Sequence, residues 1–314
     1  MALPVRRITR CSLAKPNSYR TPNRLLAYHP RTFAGRQLCV PNIDLPVRYQ
    51  HWLRAEKNLS NTRICILQSV PHVESKGIFL YSHGLTSRYA HQMRLLETIY
   101  QAGYDVVAYD LPGHGSSEKA DGQTNGSIRD ADQLLAVTAG MVDYALQHYP
   151  NRKLILSGWS LGGLLASLYM QQHPGVVTAS VQLAPAVGNL SLRGLIHLLR
   201  GADPSLWIGD PEMQKVIRND PSFFNHAPDS LIAAVQALWS FLDAKEFKTP
   251  TLALLAGREK IINNREVRSY FREATFRNHV AIEVKDVALS LHDLANDVAS
   301  ETVLAEILKY LSKH

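Results

Sequence analysis

The sequence predicts an α/β protein in which helices flank a mostly parallel central sheet. From about residue 62 onwards, short apolar runs rich in β-branched residues alternate with longer segments of helical period. The alternation is interrupted between about residues 186 and 247, and no internal repeat is found in the sequence. Parallel strands joined by helices bury both faces of their sheet, so the pattern predicts one α/β domain with an insertion.

The predicted elements divide the chain into three regions. Strands are predicted at Thr62–Leu67, Gly77–Tyr81, Asp105–Tyr109, Lys153–Leu156, Val176–Leu183, Thr251–Ala256 and Val280–Val284. Helices are predicted at Tyr89–Gln101, Asp130–His148, Leu161–Gln172 and Asn296–Leu311, and shorter ones at Leu192–Leu199 and Leu231–Leu242. We therefore expect a basic extension at 1–43, a core formed by 44–186 and 248–314, and a helical cap at 187–247.

Composition and charge exclude several classes of protein. The 314 residues are 46% hydrophobic and include 3 cysteines, which is typical of a globular chain and not of a disordered or disulfide-rich one. The net charge of +7 suggests a polyanionic partner, but eight of the 34 basic residues lie within residues 1–43, which contain no acidic residue. The other 26 nearly balance the 27 acidic residues, so the remainder carries −1. We expect no nucleic-acid partner.

Residues 1–43 leave three interpretations open: an inert tail, a targeting segment, and an anchor at an anionic membrane. No apolar run reaches the roughly 18 residues of a membrane-spanning helix. The cysteines lack the spacing of metal or redox sites. We therefore expect a cytoplasmic protein with at most peripheral membrane contact, and no metal or organic cofactor.

The strongest chemical signal is the segment Gly158-Trp159-Ser160-Leu161-Gly162. It follows a predicted strand and opens a predicted helix, which is the setting of a Gly-x-Ser-x-Gly nucleophile elbow. The two glycines leave room for the strained turn on which the serine must lie. Ser160 is therefore the candidate nucleophile at the carboxyl edge of the sheet.

A second turn, Ser82-His83-Gly84-Leu85, follows the second predicted strand. Such a turn can direct a backbone N–H group towards a pocket at the edge of the sheet where Ser160 is expected. The N–H groups of Leu85 and Leu161 are therefore the candidate oxyanion hole. His83 lies beside a glycine at a strand end, and we expect it to bond its own loop instead of acting as a base.

These elements resemble the α/β-hydrolase superfamily, and within it the branch of monoacylglycerol lipases, lysophospholipases and serine-aminopeptidase-like proteins. Asp110–Ser117 is similar to the D-x-x-G-H-G-x-S loop of that superfamily, and Val181–Ala186 resembles the strand that leads into its cap. The resemblance extends over about residues 62–312. It implies an α/β-hydrolase fold, with a mostly parallel central sheet flanked by helices and an inserted helical cap.

The resemblance also implies a catalytic acid and base. The acid follows the sixth predicted strand, where the family usually has Asp and this chain has Glu259; a solvent-exposed glutamate is the alternative. The base follows the last strand, and His292 completes the order serine, acid, histidine. Asp293 is a weaker rival for the acid, and Asp297 replaces the Glu of the family pattern His-x-Leu-x-x-Glu.

The expected activity is hydrolysis of a carboxylic ester through an acyl-enzyme on Ser160, and the resemblance implies a monoacylglycerol or lysophospholipid as substrate. An acyltransferase, a short-chain carboxylesterase, a peptidase and a non-catalytic binding protein stay open as alternatives. The oligomeric state also stays open. Apolar cap residues either line an acyl-chain tunnel or pack as core: Leu190, Leu192, Leu195, Ile196, Leu198, Leu199, Leu206, Trp207 and Ile208.

Overall fold

The structure is a computed structural model of the chain. It describes residues 48–54, 61–67, 74–191, 194, 201 and 203–314, with the backbone alone for 48–54 and 61. The extension predicted at 1–43 lies outside the described residues. So does the predicted helix Leu192–Leu199, apart from residue 194.

An eight-stranded sheet forms the centre of the described chain, in the order β1-β2-β4-β3-β5-β6-β7-β8. Its strands are β1 (Arg48–Arg54), β2 (Asn61–Leu67), β3 (Ile78–Ser82), β4 (Asp105–Tyr109), β5 (Leu154–Trp159), β6 (Ala179–Leu183), β7 (Thr251–Ala256) and β8 (Ile282–Val287). The β1–β2 and β2–β4 pairs are antiparallel and the others are parallel. All seven predicted strands are confirmed, with ends that shift by up to three residues. Strand β1 was not predicted, because it contains no β-branched residue.

Seven α-helices are present in the described residues: α1 (Met93–Gln101), α2 (Ala131–His148), α3 (Leu161–Gln172), α4 (Pro211–Arg218), α5 (Asp229–Ser240), α6 (Asn264–Asn278) and α7 (Ser300–Leu311). The four predicted core helices are confirmed, although α1 and α7 each begin four residues later than expected and Tyr89–Gln92 forms a 3-10 helix before α1. Helices α4 and α6 were not predicted. In α6, charged residues outnumber the buried Val267, Phe271 and Ala274, whose helical spacing is the signal that could have revealed it.

Side chains that alternate along each strand build a core on both faces of the sheet. In β3, Ile78 and Leu80 belong to the cluster that includes buried residues of α2, α3 and α6, while Phe79 and Tyr81 belong to the cluster that includes those of α1 and α7. Strands β3 to β7 are buried along their whole length. The carboxyl ends of the parallel strands are therefore the part of this sheet that can carry an accessible site.

The chain leaves the sheet between β6 and β7 and forms a helical cap. The described part of this insertion contains α4, α5 and two short 3-10 helices, Pro204–Leu206 and Ala244–Glu246. Helix α5 buries Leu231, Ala234 and Leu238 in the same cluster as α2 and α3, so the cap shares the core of the domain. No helix within the described ranges is long and apolar enough to cross a membrane.

The turn between β5 and α3 brings backbone segments into close contact. Ser160 has φ 52° and ψ −114°, in the region of positive φ that non-glycine residues rarely adopt. A Cβ at Gly162 would lie 2.1 Å from the Ser82 carbonyl oxygen, and one at Gly158 would lie 2.2 Å from the Gly162 carbonyl carbon. Both glycines are therefore required by the geometry of the turn.

We expect Gly162→Ala to lower the free energy of unfolding by about 2 kcal/mol or more, because backbone on both sides of the contact has to move. Gly140→Ala in α2 is the matched control, since a Cβ there meets no atom within 4 Å. That control should be neutral or stabilise by up to about 1 kcal/mol. Urea unfolding followed by circular dichroism measures both, and equal stabilities would contradict the expectation.

Candidate active site

Three side chains predicted from the sequence form one chain of hydrogen bonds at the carboxyl edge of the sheet. His292 Nε2 lies 2.8 Å from Ser160 Oγ, and His292 Nδ1 lies 2.7 Å from Glu259 Oε2. The side chains of His292 and Glu259 are each 4% exposed. Serine, imidazole and carboxylate are thus in mutual contact and largely shielded from water, which is the geometry of an activated serine nucleophile.

Backbone hydrogen bonds fix Ser160 at the end of β5. Its N–H donates to the Leu183 carbonyl at 3.0 Å, and its own carbonyl accepts from the N–H groups of Leu164 at 3.1 Å and Ala186 at 3.0 Å. The strained turn is therefore joined to β6, to α3 and to the start of the cap. Such contacts are what allow a serine to persist at positive φ.

The Glu259 carboxylate divides its two oxygens between its own loop and the imidazole. Oε1 accepts from the N–H groups of Lys260 at 2.9 Å and Ile261 at 2.7 Å, which leaves Oε2 for His292. Burial opposes ionisation, but the charge and N–H of His292 and the loop N–H groups hold the pKa of Glu259 below its usual value. The alternative of a solvent-exposed glutamate is wrong, because this side chain is buried.

The loops that carry Glu259 and His292 are joined directly. The Gly257 N–H donates to the Val287 carbonyl and the Arg258 N–H to the Ser290 carbonyl, both at 2.9 Å. These bonds continue the β7–β8 pairing beyond the strands, so Glu259 and His292 begin from adjacent backbone. Their meeting follows from the parallel pairing of the two strands.

Trp159 contributes to the site in a way that the sequence analysis missed. Its indole N–H donates to the His292 carbonyl oxygen at 2.9 Å, and the two rings lie 5.7 Å apart, tilted by 50°. The residue at the first variable position of the Gly-x-Ser-x-Gly pattern is thus hydrogen-bonded to the backbone of His292. A Cβ at Gly84 would lie 2.8 Å from this indole, so the contact leaves no room for a side chain at that position of the His-Gly turn.

Asp293, the weaker rival for the acid, has no hydrogen bond to the imidazole among the described contacts. Its carboxylate accepts from Gln92 Nε2 at 3.0 and 3.1 Å and from Asn296 Nδ2 at 3.0 Å, away from the imidazole. No cationic side chain among the described residues donates to it. Burial raises the pKa of Asp293 to about 6 in spite of the amide donors.

His83 bonds its own loop, as the sequence predicts. Its Nδ1–H donates to the Gly84 carbonyl at 2.8 Å, and its Nε2 accepts from the Leu111 N–H at 2.9 Å. Burial, with repulsion from His114 added, holds the pKa of His83 well below its usual value. The neutral ring therefore joins the His-Gly turn to the loop after β4.

Leu85 and Leu161 both line the cavity that Ser160 and His292 reach. Leu161 is the first residue of α3, where backbone N–H groups have no carbonyl partner within the helix. Among the described residues, neither N–H donates a hydrogen bond to a carbonyl of the chain. Their role as an oxyanion hole stays a prediction.

The cavity beside Ser160 is mainly apolar and lies between the sheet edge and the cap. Of the cap residues singled out in the sequence, Leu190 and Trp207 line it, Ile208 is buried in the core, and Leu206 packs against that core. The other members of that set, Leu192, Leu195, Ile196, Leu198 and Leu199, lie outside the described residues. Part of the lining was not predicted: Asn225, Ala227, Val235, Trp239, Ile261 and Ile262.

The sheet topology, the cap and the serine–histidine–glutamate chain define an α/β hydrolase. Residues 73–299 match the sequence profile of the serine aminopeptidase S33 family. The chain belongs to that family of hydrolases.

Characterised relatives are similar at low identity. The chain is 27% identical to the monoacylglycerol lipase of Mycolicibacterium smegmatis over 117 residues, which cover 37% of this chain and 40% of that protein. It is 24% identical to phospholipase YtpA of Bacillus subtilis over 245 residues, or 72% of this chain and 91% of that protein. Lysophospholipase L2 of Escherichia coli is 22% identical over 272 residues, or 74% of this chain and 79% of that protein. The family match and these relatives show that the chain is a hydrolase of the esterase and lipase type.

Solved structures share the fold. A soluble variant of monoglyceride lipase from Saccharomyces cerevisiae aligns with a TM-score of 0.73 at 15% identity, over 87% of this chain and 98% of that one. A thermostable carboxyl esterase from Bacillus coagulans aligns with a TM-score of 0.70 at 16% identity, over 85% of this chain and 98% of that one. At these identities the likeness shows the fold alone.

The raised pKa of Asp293 predicts a pH-dependent contribution to stability. A carboxyl group whose pKa is higher in the folded chain stabilises the fold below its unfolded pKa of about 4, and this stabilisation is lost as the pH rises through about 6. Between pH 4 and pH 7, the stability of the wild type should therefore fall by about 2–3 kcal/mol relative to Asp293→Asn. Urea unfolding of both proteins at each pH measures this difference, and a pH-independent difference would contradict it.

Proposed function

We propose that the protein is a serine hydrolase that cleaves a carboxylic ester through an acyl-enzyme on Ser160. The observation that carries the proposal is the hydrogen-bonded chain from Ser160 Oγ through His292 to Glu259, at the wall of an apolar cavity. A non-catalytic binding protein has no need of such a chain. Its presence therefore favours catalysis over simple binding.

In the first half of the reaction, the ester enters the cavity with its carbonyl carbon beside Ser160. His292 Nε2 removes the hydroxyl proton as Ser160 Oγ forms a bond to that carbon. The N–H groups of Leu85 and Leu161 stabilise the negative oxygen of the tetrahedral intermediate. The intermediate collapses, the C–O bond to the alcohol breaks, and His292 donates its proton to the departing alcohol.

In the second half, water enters the place that the alcohol has left. His292 Nε2 accepts a proton from the water as the water oxygen bonds to the acyl carbon. Collapse of this second intermediate releases the carboxylic acid and returns the proton to Ser160 Oγ. Glu259 stays ionised throughout, which agrees with its lowered pKa, and it stabilises the imidazolium form of His292.

The proposed substrate is a lipid ester with one acyl chain, such as a monoacylglycerol or a lysophospholipid. Apolar side chains from the sheet edge and the cap line the cavity, among them Trp207, Val235 and Trp239. This lining suits a hydrocarbon chain. The names of the relatives from M. smegmatis and E. coli agree with such substrates.

An aminopeptidase activity is less well supported, although the family carries that description. An aminopeptidase must bind the positive α-amino group of its substrate, for which a carboxylate is the natural partner. Among the described residues that line the cavity there is no Asp or Glu. We therefore expect p-nitrophenyl esters to be cleaved and amino-acyl p-nitroanilides to be resistant.

The catalytic assignment predicts the reaction with an alkyl fluorophosphonate, which phosphonylates an activated serine. Ser160→Ala should give no labelling, and His292→Ala should slow it by about 10³-fold or more. Glu259→Gln should slow it by about 10²–10⁴-fold, because glutamine lacks the negative charge and its NH2 group must replace the oxygen that faces either the loop N–H groups or the imidazole N–H. Gel fluorescence against time gives these rates.

Ser312→Ala is the control, since this exposed serine donates to the Lys309 carbonyl and lies in the last residues of the chain. Its labelling rate should equal that of the wild type. A folded wild-type protein that is not labelled would overturn the proposal. Unchanged ester hydrolysis by Glu259→Gln would overturn the assignment of the acid alone.

The apolar cavity predicts a preference for longer acyl chains. In a p-nitrophenyl ester series from acetate to decanoate, kcat/KM should rise with chain length, because each buried methylene contributes about 0.8 kcal/mol or less. Trp239→Ala enlarges the cavity and should move the optimum to longer chains. Spectrophotometric release of p-nitrophenol below the micellar concentration measures both. A flat series would contradict an acyl-chain site.

A further inference from the structure

Two hydrogen bonds connect the cap to the loop that carries His292. The Asp293 N–H donates to the Trp207 carbonyl at 2.8 Å, and the Gly209 N–H donates to Asp297 Oδ1 at 2.7 Å. Trp207 also lines the cavity beside Ser160, so the same short cap segment faces the site and the base loop. A displacement of this segment is therefore transmitted to residues next to the imidazole.

The Asp297 carboxylate is the centre of this connection. Its Oδ2 accepts from the N–H of Leu291, the residue before His292, while Oδ1 accepts from Gly209 and from Val298. The residue is 2% exposed, and among the described residues no cationic side chain pairs with it. One buried carboxylate thus satisfies N–H groups of both the cap and the base loop, and it stabilises their relative position.

The sequence leaves space for this contact. A Cβ at Gly209 would lie 2.6 Å from Asp297 Oδ1, closer than real Cβ contacts allow. Gly209 has an ordinary backbone conformation, so the close approach of the carboxylate is the reason that glycine fits there. A substitution at either Gly209 or Asp297 therefore disturbs the contact between the cap and the loop that carries His292.

We infer that Asp297 is a positioning residue that couples the cap segment 207–209 to the imidazole of His292. An acyl chain packed against Trp207 stabilises this segment, and Asp297 transmits the stabilisation to the base. Binding of the remote part of the substrate then accelerates the chemical step in addition to raising affinity. The inference rests on the proposed function, since it concerns the rate at which Ser160 reacts.

The test separates binding from chemistry with two fluorophosphonates that differ only in an ethyl or a decyl chain. Time courses at several concentrations give the half-saturating concentration KI and the limiting rate kinact. For the wild type, kinact should be larger with the decyl probe. For Asp297→Asn, the decyl kinact should fall about tenfold with KI changed less than twofold, and the ratio of decyl to ethyl kinact should approach one.

Gly209→Ala perturbs the same contact from the cap and keeps the carboxylate, so it carries the test if Asp297→Asn does not fold. It should reproduce the loss of decyl kinact. Asp203→Asn is the control within the cap: this aspartate pairs with Arg218, its side chain is 53% exposed, and asparagine keeps an oxygen for the Ser205 N–H that Asp203 accepts. Asp203→Asn and Gly140→Ala should keep the wild-type ratio.

Two outcomes overturn the coupling: folded variants that raise KI and keep kinact, and a wild-type kinact that does not depend on chain length. The first result would mean that Asp297 supports only the structure of the cap and has no effect on the rate of the chemical step. Failure of the proposed function is distinguishable from both, because a wild-type protein that reacts with neither probe contradicts the catalytic assignment itself. Thermal unfolding of every variant identifies those that remain folded.

Discussion

The imidazole of His292 contacts Ser160 with one nitrogen and Glu259 with the other, and the surrounding architecture holds this double contact in place. Both distances are below 3 Å, so small shifts of any of the three loops would break the chain. Parallel strands solve the problem, because β5, β7 and β8 all end at the same edge of the sheet. Full burial of β5 and β7 and the ladder that joins β8 to β7 keep these ends fixed relative to one another.

The cap contributes to this arrangement as well as covering the cavity. Its first described residues bond the acid loop, where the Ser191 N–H donates to the Ile261 carbonyl and the Asn263 N–H donates to the Asn189 carbonyl. A later segment bonds the base loop through Asp297. The loops that carry Glu259 and His292 are therefore each joined to the insertion that covers the apolar cavity. An insertion connected in this way differs from a lid attached only at its two ends.

The sequence was most informative where local geometry restricts the residue type. Ser160 was identifiable because the strained turn admits only glycine at Gly158 and Gly162, a restriction that is visible in five residues. The strands were predictable from β-branched runs, except β1, whose composition hides it. Helix α6 escaped because tertiary contacts at a few spaced positions, and not a continuous apolar face, hold it in place. Glu259 and His292 needed chain order and the family resemblance, since an isolated acid or histidine carries no local signature.

The sequence by itself determined the fold class, the nucleophile turn and the candidate acid and base, because hydrophobic period and glycine requirements are local properties of the chain. Only the tertiary structure decided which carboxylate faces the imidazole: Glu259 bonds His292, Asp293 bonds two amides, and Asp297 joins the cap to the base loop. These three roles depend on partners far away in sequence. Residues that are adjacent in the chain can face opposite directions in the fold, so spacing alone does not assign such roles.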